Sequence, residues 1–83
     1  MNEIGTANEV VARQLDGELR LVRGAILMVA IHGSPRVIVA GLRLGEAILD
    51  QARRLALESG VRVTPIWTAD DHILDIWVES LRP

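Results

Sequence analysis

The chain has 83 residues, of which 49% are hydrophobic, a formal net charge of −2, and no lysine, cysteine, tyrosine or phenylalanine. This length predicts a single domain over residues 1–83, with the first few residues flexible, because domains usually comprise roughly 100–150 residues. The composition excludes disulfides, thiolate–metal sites and lysine-based catalysis. A net negative charge without a basic run argues against nucleic acid as a partner.

The N-terminal part of the chain carries two competing patterns. Residues 6–9, with the sequence TANE, match a capping box and predict the start of a short helix. Asp16-Gly17 is instead favoured in tight hairpin turns, and Leu19 and Leu21 alternate with polar residues as in a half-buried strand. We therefore expect two strands joined by a turn at Asp16-Gly17, with a helix as the alternative.

An uninterrupted apolar run follows at residues 24–31. Such a run is buried on more than one side, whether it forms a strand or a helix. It is much shorter than the ~20 residues of a membrane-spanning helix, and residues 1–23 lack the basic start and apolar stretch of a signal peptide. We therefore expect no membrane association and a cytoplasmic location.

The middle of the chain predicts a strand–helix–strand unit over residues 37–66. Residues 37–40 are rich in β-branched side chains, which predicts a strand. Apolar residues recur at helical spacing over residues 44–59, and Gly60 stands where a left-handed C-terminal cap is favoured. A second strand follows, and Pro65 predicts that this strand lies at an edge of the sheet.

The last segment fits two templates. Residues 68–71, with the sequence TADD, resemble a second capping box. Apolar residues recur at helical spacing from Ile73 to Leu81, which predicts a C-terminal helix, whereas the alternation from Leu74 to Val78 leaves a final strand as the alternative. The predicted fold class is α/β or α+β, with a mixed sheet of about four strands.

The polar residues offer few candidates for catalysis. His32 and Ser34, with an aspartate of the C-terminal third, suggest a minor hydrolase, but ordinary turn formation explains both residues. His72 and Asp75 share a face if the segment is helical, yet a metal site needs at least three ligands. A hydrolase or metal-dependent enzyme is a remote alternative, and we assign no catalytic residue, metal ligand or cofactor.

The loop between the predicted strand and helix contains Gly41, Arg43 and Gly45. Glycine-rich loops at this position bind phosphate at the N-terminus of the following helix. The complete phosphate-loop and dinucleotide-binding patterns are absent, so tight turning and close packing are the simpler explanation of the glycines. A small-anion or nucleotide-binding domain using these residues is the alternative function.

The two tryptophans, Trp67 and Trp77, are the only aromatic residues and flank Asp70 and Asp71. Tryptophan is enriched at the centres of protein interfaces, so we expect the contact surface for a protein partner here. A short apolar chain without disulfides also predicts a homodimer, with either tryptophan as an anchor. The leading prediction is a non-enzymatic regulatory or protein-interaction module.

The order of the predicted elements resembles the STAS domain, the family of anti-sigma factor antagonists and sulfate-transporter regulatory domains. The resemblance lies in residues 16–19 (DGEL), 36–39 (RVIV), 58–61 (ESGV) and the terminal segment 68–81. It implies a non-enzymatic regulatory domain whose last element is helical. The family carries a phosphorylated serine or threonine before its central helix, and residues 42–44 (LRL) stand there instead, so no phosphoacceptor is expected.

Overall fold

The computed structural model describes residues 3–81, with side chains from residue 9 onward, so the first two residues, for which flexibility is predicted, lie outside it. The elements follow in the order α1 (Glu3–Ala30), β1 (Arg36–Leu42), α2 (Gly45–Ser59), β2 (Val61–Thr68) and β3 (Ile73–Ser80). The strands form one sheet in the order β1-β3-β2, in which β3 is antiparallel to both neighbours. The chain is therefore a small α+β domain.

Residues 3–30 form one continuous helix, so the predicted hairpin at Asp16-Gly17 is wrong. The side chains of α1 that contact the core recur at helical spacing: Leu15, Leu19, Val22, Ala25, Ile26 and Val29. Burial of this stripe outweighs the local turn preference of an Asp-Gly pair. The helix begins at Glu3, ahead of the capping-box sequence, and the apolar run that follows the hairpin candidate belongs to its end.

The predicted strand–helix–strand unit over residues 37–66 is confirmed as β1, α2 and β2. Gly60 ends α2 with φ 70° and ψ 37°, and its N–H donates to the carbonyl of Ala56. β1 and β2 run in the same direction, but β3 lies between them, so α2 connects two strands that do not pair. Pro65 lies in an edge strand, as predicted.

The last element is β3, so the predicted C-terminal helix is wrong. The described residues form an antiparallel sheet of three strands, where a mixed sheet of about four was predicted. Leu74, Ile76 and Val78 are fully buried and alternate with half-buried residues, which is the period of a strand with one covered face. Residues 69–71 have φ values of 51°, 57° and 68°, so the capping-box sequence forms a turn. The terminal helix implied by the resemblance to STAS domains is replaced by this strand.

Both helices pack on the same face of the sheet and enclose a single core. α1 lies against β1 and β3, and α2 lies against β2 and α1. The other face of the sheet has no helix over it in the described part of the chain. No helix among the described residues is long and apolar enough to cross a membrane.

Candidate functional site

A hollow of about 450 Å³ at the start of α2 brings together several of the residues predicted to form a site. Its wall includes Arg43, Gly45, Trp67, Asp71 and His72. We call it the α2 hollow. It unites part of the candidate anion loop with part of the candidate contact surface, because the β2–β3 turn lies beside the β1–α2 loop.

Trp67 packs tightly against the first residue of α2. A Cβ atom on Gly45 would lie 2.8 Å from Cη2 of Trp67 and 2.8 Å from Cβ of Leu74. Both distances are far below van der Waals contact, so only glycine fits here. The close-packing explanation therefore accounts for Gly45, and Trp67 is half-buried against the core. Gly41 has φ 76° beside the irregularity in the pairing of β1 with β3, where glycine has the required freedom.

The loop amides that an anion would need already donate to carboxylates of the chain. The N–H groups of Arg43 and Leu44 donate to the two carboxylate oxygens of Glu18 in α1, at 3.1 Å and 2.9 Å. The N–H of Gly41 donates to Oδ1 of Asp75 at 3.0 Å. The Glu18 carboxylate thus stands where a phosphate stands in a phosphate-binding loop. Sequence patterns missed it because Glu18 lies 25 positions before Arg43.

The polar residues considered for catalysis lie apart. His32 and Ser34 follow α1 at the end of the sheet where β1 begins, whereas the turn holding Asp70 lies at the end where β1 finishes. His72 and Asp75 occupy a turn and a strand, so they do not share a helix face. No group of three histidine, aspartate or glutamate side chains in the described chain converges to hold a metal ion.

The uncovered sheet face has Trp77 at its centre. Ile38 of β1 and Thr64 of β2 lie opposite Trp77 in the two ladders, and Ile66 lies opposite Asp75. Ile38 is 51% exposed, and Trp77 and Ile66 are half-buried. We call this surface, the outward side chains of the three strands, the open face. The predicted contact surface is therefore divided, with Trp67 in the α2 hollow and Trp77 on the open face.

Arg36 holds the ring of Trp77 in place on the open face. Its guanidinium carbon lies 4.6 Å from the centre of the ring, and its Nη2 lies 3.2 Å from Oε2 of Glu79. A guanidinium over tryptophan is a favourable cation–π arrangement. Arg36, Glu79 and Arg62 lie in one row across the three strands. An apolar centre is therefore bordered by charges of both signs.

β1 also leaves one edge without a neighbouring strand in the described chain. The N–H of Ser80 donates to the carbonyl of Pro35 at 3.3 Å, and these two residues are directly opposite in the β1–β3 register. Because hydrogen-bonded and non-hydrogen-bonded pairs alternate over the regular register from Arg36 to Val39, the backbone groups of Arg36 and Ile38 point away from β3. These groups form the β1 edge.

Comparisons of the chain with family models, with curated proteins and with solved structures give no match.

Proposed function

We propose that the chain is a non-enzymatic protein-interaction module of the regulatory type, and that the open face contacts the partner. The observation that carries this proposal is the placement of Trp77 beside Ile38 on a sheet face without a covering helix. A solvated face of an antiparallel sheet normally carries polar side chains. An apolar centre on such a face is typical of a binding surface.

The arrangement of the open face agrees with the anatomy of protein interfaces. Such interfaces have an apolar centre, enriched in tryptophan and arginine, and a polar rim. Trp77 and Ile38 supply the centre, and the row of Arg36, Glu79 and Arg62 supplies part of the rim. Since Arg36 already pairs with Glu79, Arg62 is the rim cation that a partner carboxylate meets first.

The test compares two apolar positions on opposite sides of the domain. Trp77→Ser removes the centre of the open face, and Leu57→Ser changes an 85% exposed leucine on α2 as a matched control. Proteins captured from a cell extract by the unaltered chain are purified and titrated against all three chains by calorimetry. We expect Trp77→Ser to weaken binding by at least about tenfold, the effect of a typical interface anchor, and Leu57→Ser to leave it unchanged.

Circular dichroism melting of both variants checks that each is folded. Equal affinity of a purified partner for the unaltered chain and for folded Trp77→Ser contradicts the proposal. Equal loss in both serine variants also contradicts it, because Leu57 lies outside the open face.

The second candidate function is small-anion or nucleotide binding in the α2 hollow. It is favoured by the meeting of Arg43 and His72 near the positive end of α2, and opposed by the Glu18 carboxylate on the same loop. Titration with nucleotides and with inorganic phosphate tests it. Saturable binding that is lost in Arg43→Ala supports this candidate and contradicts a pure interaction module, and the absence of saturable heat rejects the candidate.

A further inference from the structure

We propose that two copies of the chain form a symmetric dimer by pairing their β1 edges and packing their α1 helices together. Apart from Arg36 and Ile38 of β1, which belong to both, this surface is separate from the open face, and the proposal goes beyond the function proposed above. On α1 it comprises one line of residues that faces away from the core: Gln14, Gly17, Leu21, Gly24, Met28 and Ile31. We call this line the α1 seam.

The β1 edge is self-complementary about Ile38. Its regular register runs from Arg36 to Val39, before the irregularity between Val39 and Leu42, and Ile38 is the outward-directed residue nearest the middle of the strand. An antiparallel pair with a second copy places Ile38 opposite Ile38 of that copy and Arg36 opposite Ala40 of that copy. Ile38 directs its N–H and C=O groups outward, so this central pair is of the hydrogen-bonded type. The two sheets then join into one continuous sheet.

Apart from Arg36 at its start and the irregularity between Val39 and Leu42, β1 has none of the devices that usually keep an exposed edge from pairing. Natural edge strands carry charged residues or proline, or are covered by another element. Between Val37 and Leu42 the strand has neither a charged residue nor a proline. The groove beside it is apolar, lined by Leu21 and Ala25 of α1 together with residues 37–40.

The α1 seam reaches the β1 edge at Leu21. Leu21, 59% exposed, is at once a seam residue and a wall of the groove along β1. The seam residues recur at alternating intervals of three and four, the spacing with which one helix packs along another. None of them is charged.

The distance between the two α1 helices of the proposed dimer agrees with the usual distance between packed helices. α1 lies over β1 and β3, and neighbouring strands are about 4.8 Å apart. Two α1 helices related by an axis at the β1 edge are therefore about 10 Å apart, which is within the range of about 8–10 Å for packed helices.

Two glycines in α1 support the α1 helix of a second copy as the element that packs on the α1 seam. A Cβ atom on Gly17 or Gly24 would meet no atom within 4 Å, and neither residue has a positive φ. Glycine inside a helix lowers its stability relative to alanine, so nothing within one copy requires these residues. Leu21 and Ala25 lie beside β1, so the two-fold axis of the dimer passes α1 between these two residues. Leu21 then faces Gly24 of the second copy. By the same symmetry Met28 faces Gly17 of that copy, so each large side chain meets a gap.

The α1 seam offers apolar side chains to an interface, since Leu21, Met28 and Ile31 are 59%, 46% and 71% exposed. A standard interface buries about 800 Å² per copy around such an apolar centre.

Mass measurement by light scattering coupled to gel filtration tests the proposal at micromolar concentration. We expect the unaltered chain to have twice its monomer mass of 9.1 kDa. Leu21→Arg places a charge in the seam and is expected to raise the dissociation constant at least hundredfold. Leu57→Arg on α2 makes the same change outside the seam and is expected to leave the dimer intact.

Gly24→Ala separates the roles of the seam glycine. In dilute, dissociated protein this variant is expected to raise the melting temperature, because alanine stabilises a helix. At high concentration it is expected to weaken the dimer, because the added methyl group fills the gap for Leu21 of the second copy. A variant that raises stability and strengthens association as well contradicts the packing.

Hydrogen exchange locates the strand pairing. The amide of Ile38 is expected to gain protection as concentration rises, whereas the outward amide of Val63 on β2 is not. A mass of 9.1 kDa at every concentration overturns the proposal, and so does a dimer that survives Leu21→Arg. A dimer broken by Trp77→Ser but not by Leu21→Arg assigns self-association to the open face instead. If Trp77→Ser loses partner binding while the dimer stays intact, the result supports the function proposed for the open face and also agrees with a dimer formed elsewhere.

Discussion

The two edges of the sheet are built differently. On the β1 edge, the outward positions Arg36 and Ile38 both carry an N–H. The same alternation across β3 makes Val61, Val63, Pro65 and Trp67 the outward positions of β2. Pro65 interrupts that second edge, because proline has no N–H to offer a further strand. One edge is therefore closed to strand pairing and the other is open.

The helices beside the two edges follow the same division. The solvent-facing side of α2 is mostly charged, with Glu46, Asp50, Arg53, Arg54 and Glu58, and it includes an Asp50–Arg54 pair at 3.4 Å. The α1 seam carries no charge. A charged helix face beside a proline-containing strand suits contact with water, whereas an uncharged line of residues on α1 beside a strand edge without proline suits contact with another chain.

The largest expected loss of stability follows a substitution in β3, the strand that pairs with both edge strands. Leu74 in β3 is fully buried and lies between β1 and β2. Leu74→Ala leaves a cavity beneath both strands and is expected to lower the free energy of unfolding by about 3 kcal/mol. Urea denaturation measures it, with Leu57→Ala on the exposed side of α2 as the control. An equal decrease in the free energy of unfolding in both variants would show that the burial of Leu74 is not the cause of its effect.

A smaller loss of stability is expected from a substitution at Gly45, where the start of α2 packs against Trp67 of β2. Gly45→Ala places a methyl group 2.8 Å from atoms of Trp67 and Leu74, and such overpacking lowers the free energy of unfolding by about 1–3 kcal/mol. Gly24→Ala in dissociated protein is the control and is expected to act in the opposite direction, because its Cβ meets no atom within 4 Å. Destabilisation in both variants contradicts the assigned role of Gly45.

The sequence predicted best the elements whose local patterns agree with their packing. The helix of residues 44–59 has a consistent apolar stripe and a glycine cap, and it forms almost as predicted, from Gly45. α1 was predicted as a hairpin because Asp16-Gly17 is a strong local turn sequence, although the stripe from Leu15 to Val29 has helical spacing. The tertiary burial of that stripe decided the outcome.

The last strand shows the same conflict. Ile73, Trp77 and Leu81 have helical spacing, whereas Leu74 and Ile76 begin an alternation. Residues 73–80 form a strand because they pair with β1 on one side and β2 on the other. A local sequence pattern does not show that these two partner strands are present. The two faces of the sheet, and therefore the separation of Trp67 from Trp77, follow only once β3 is placed.

The candidate loop was located correctly between a strand and a helix, but its partners were not predicted. Glu18 and Asp75 reach Leu44 and Gly41 from elements 26 and 34 positions away in the sequence. Contacts over such distances depend on how α1 and β3 pack against the loop. The identity of the anion at this loop, a carboxylate of the chain itself, was therefore beyond the reach of local motifs.

The smallest expected change in stability tests the difference between the edges most directly. Pro65→Thr gives the β2 edge an outward N–H at the position where it now lacks one, and the free energy of unfolding is expected to change by less than about 1 kcal/mol. With both edges open, copies can pair at β1 and at β2, so light scattering is expected to show species larger than those of the unaltered chain. Pro35→Thr is the matched control: Pro35 lies opposite Ser80 of β3 and its carbonyl accepts from Ser80, so a new N–H there points into the sheet. A Pro65→Thr chain with the mass of the unaltered protein at every concentration shows that the proline does not close this edge.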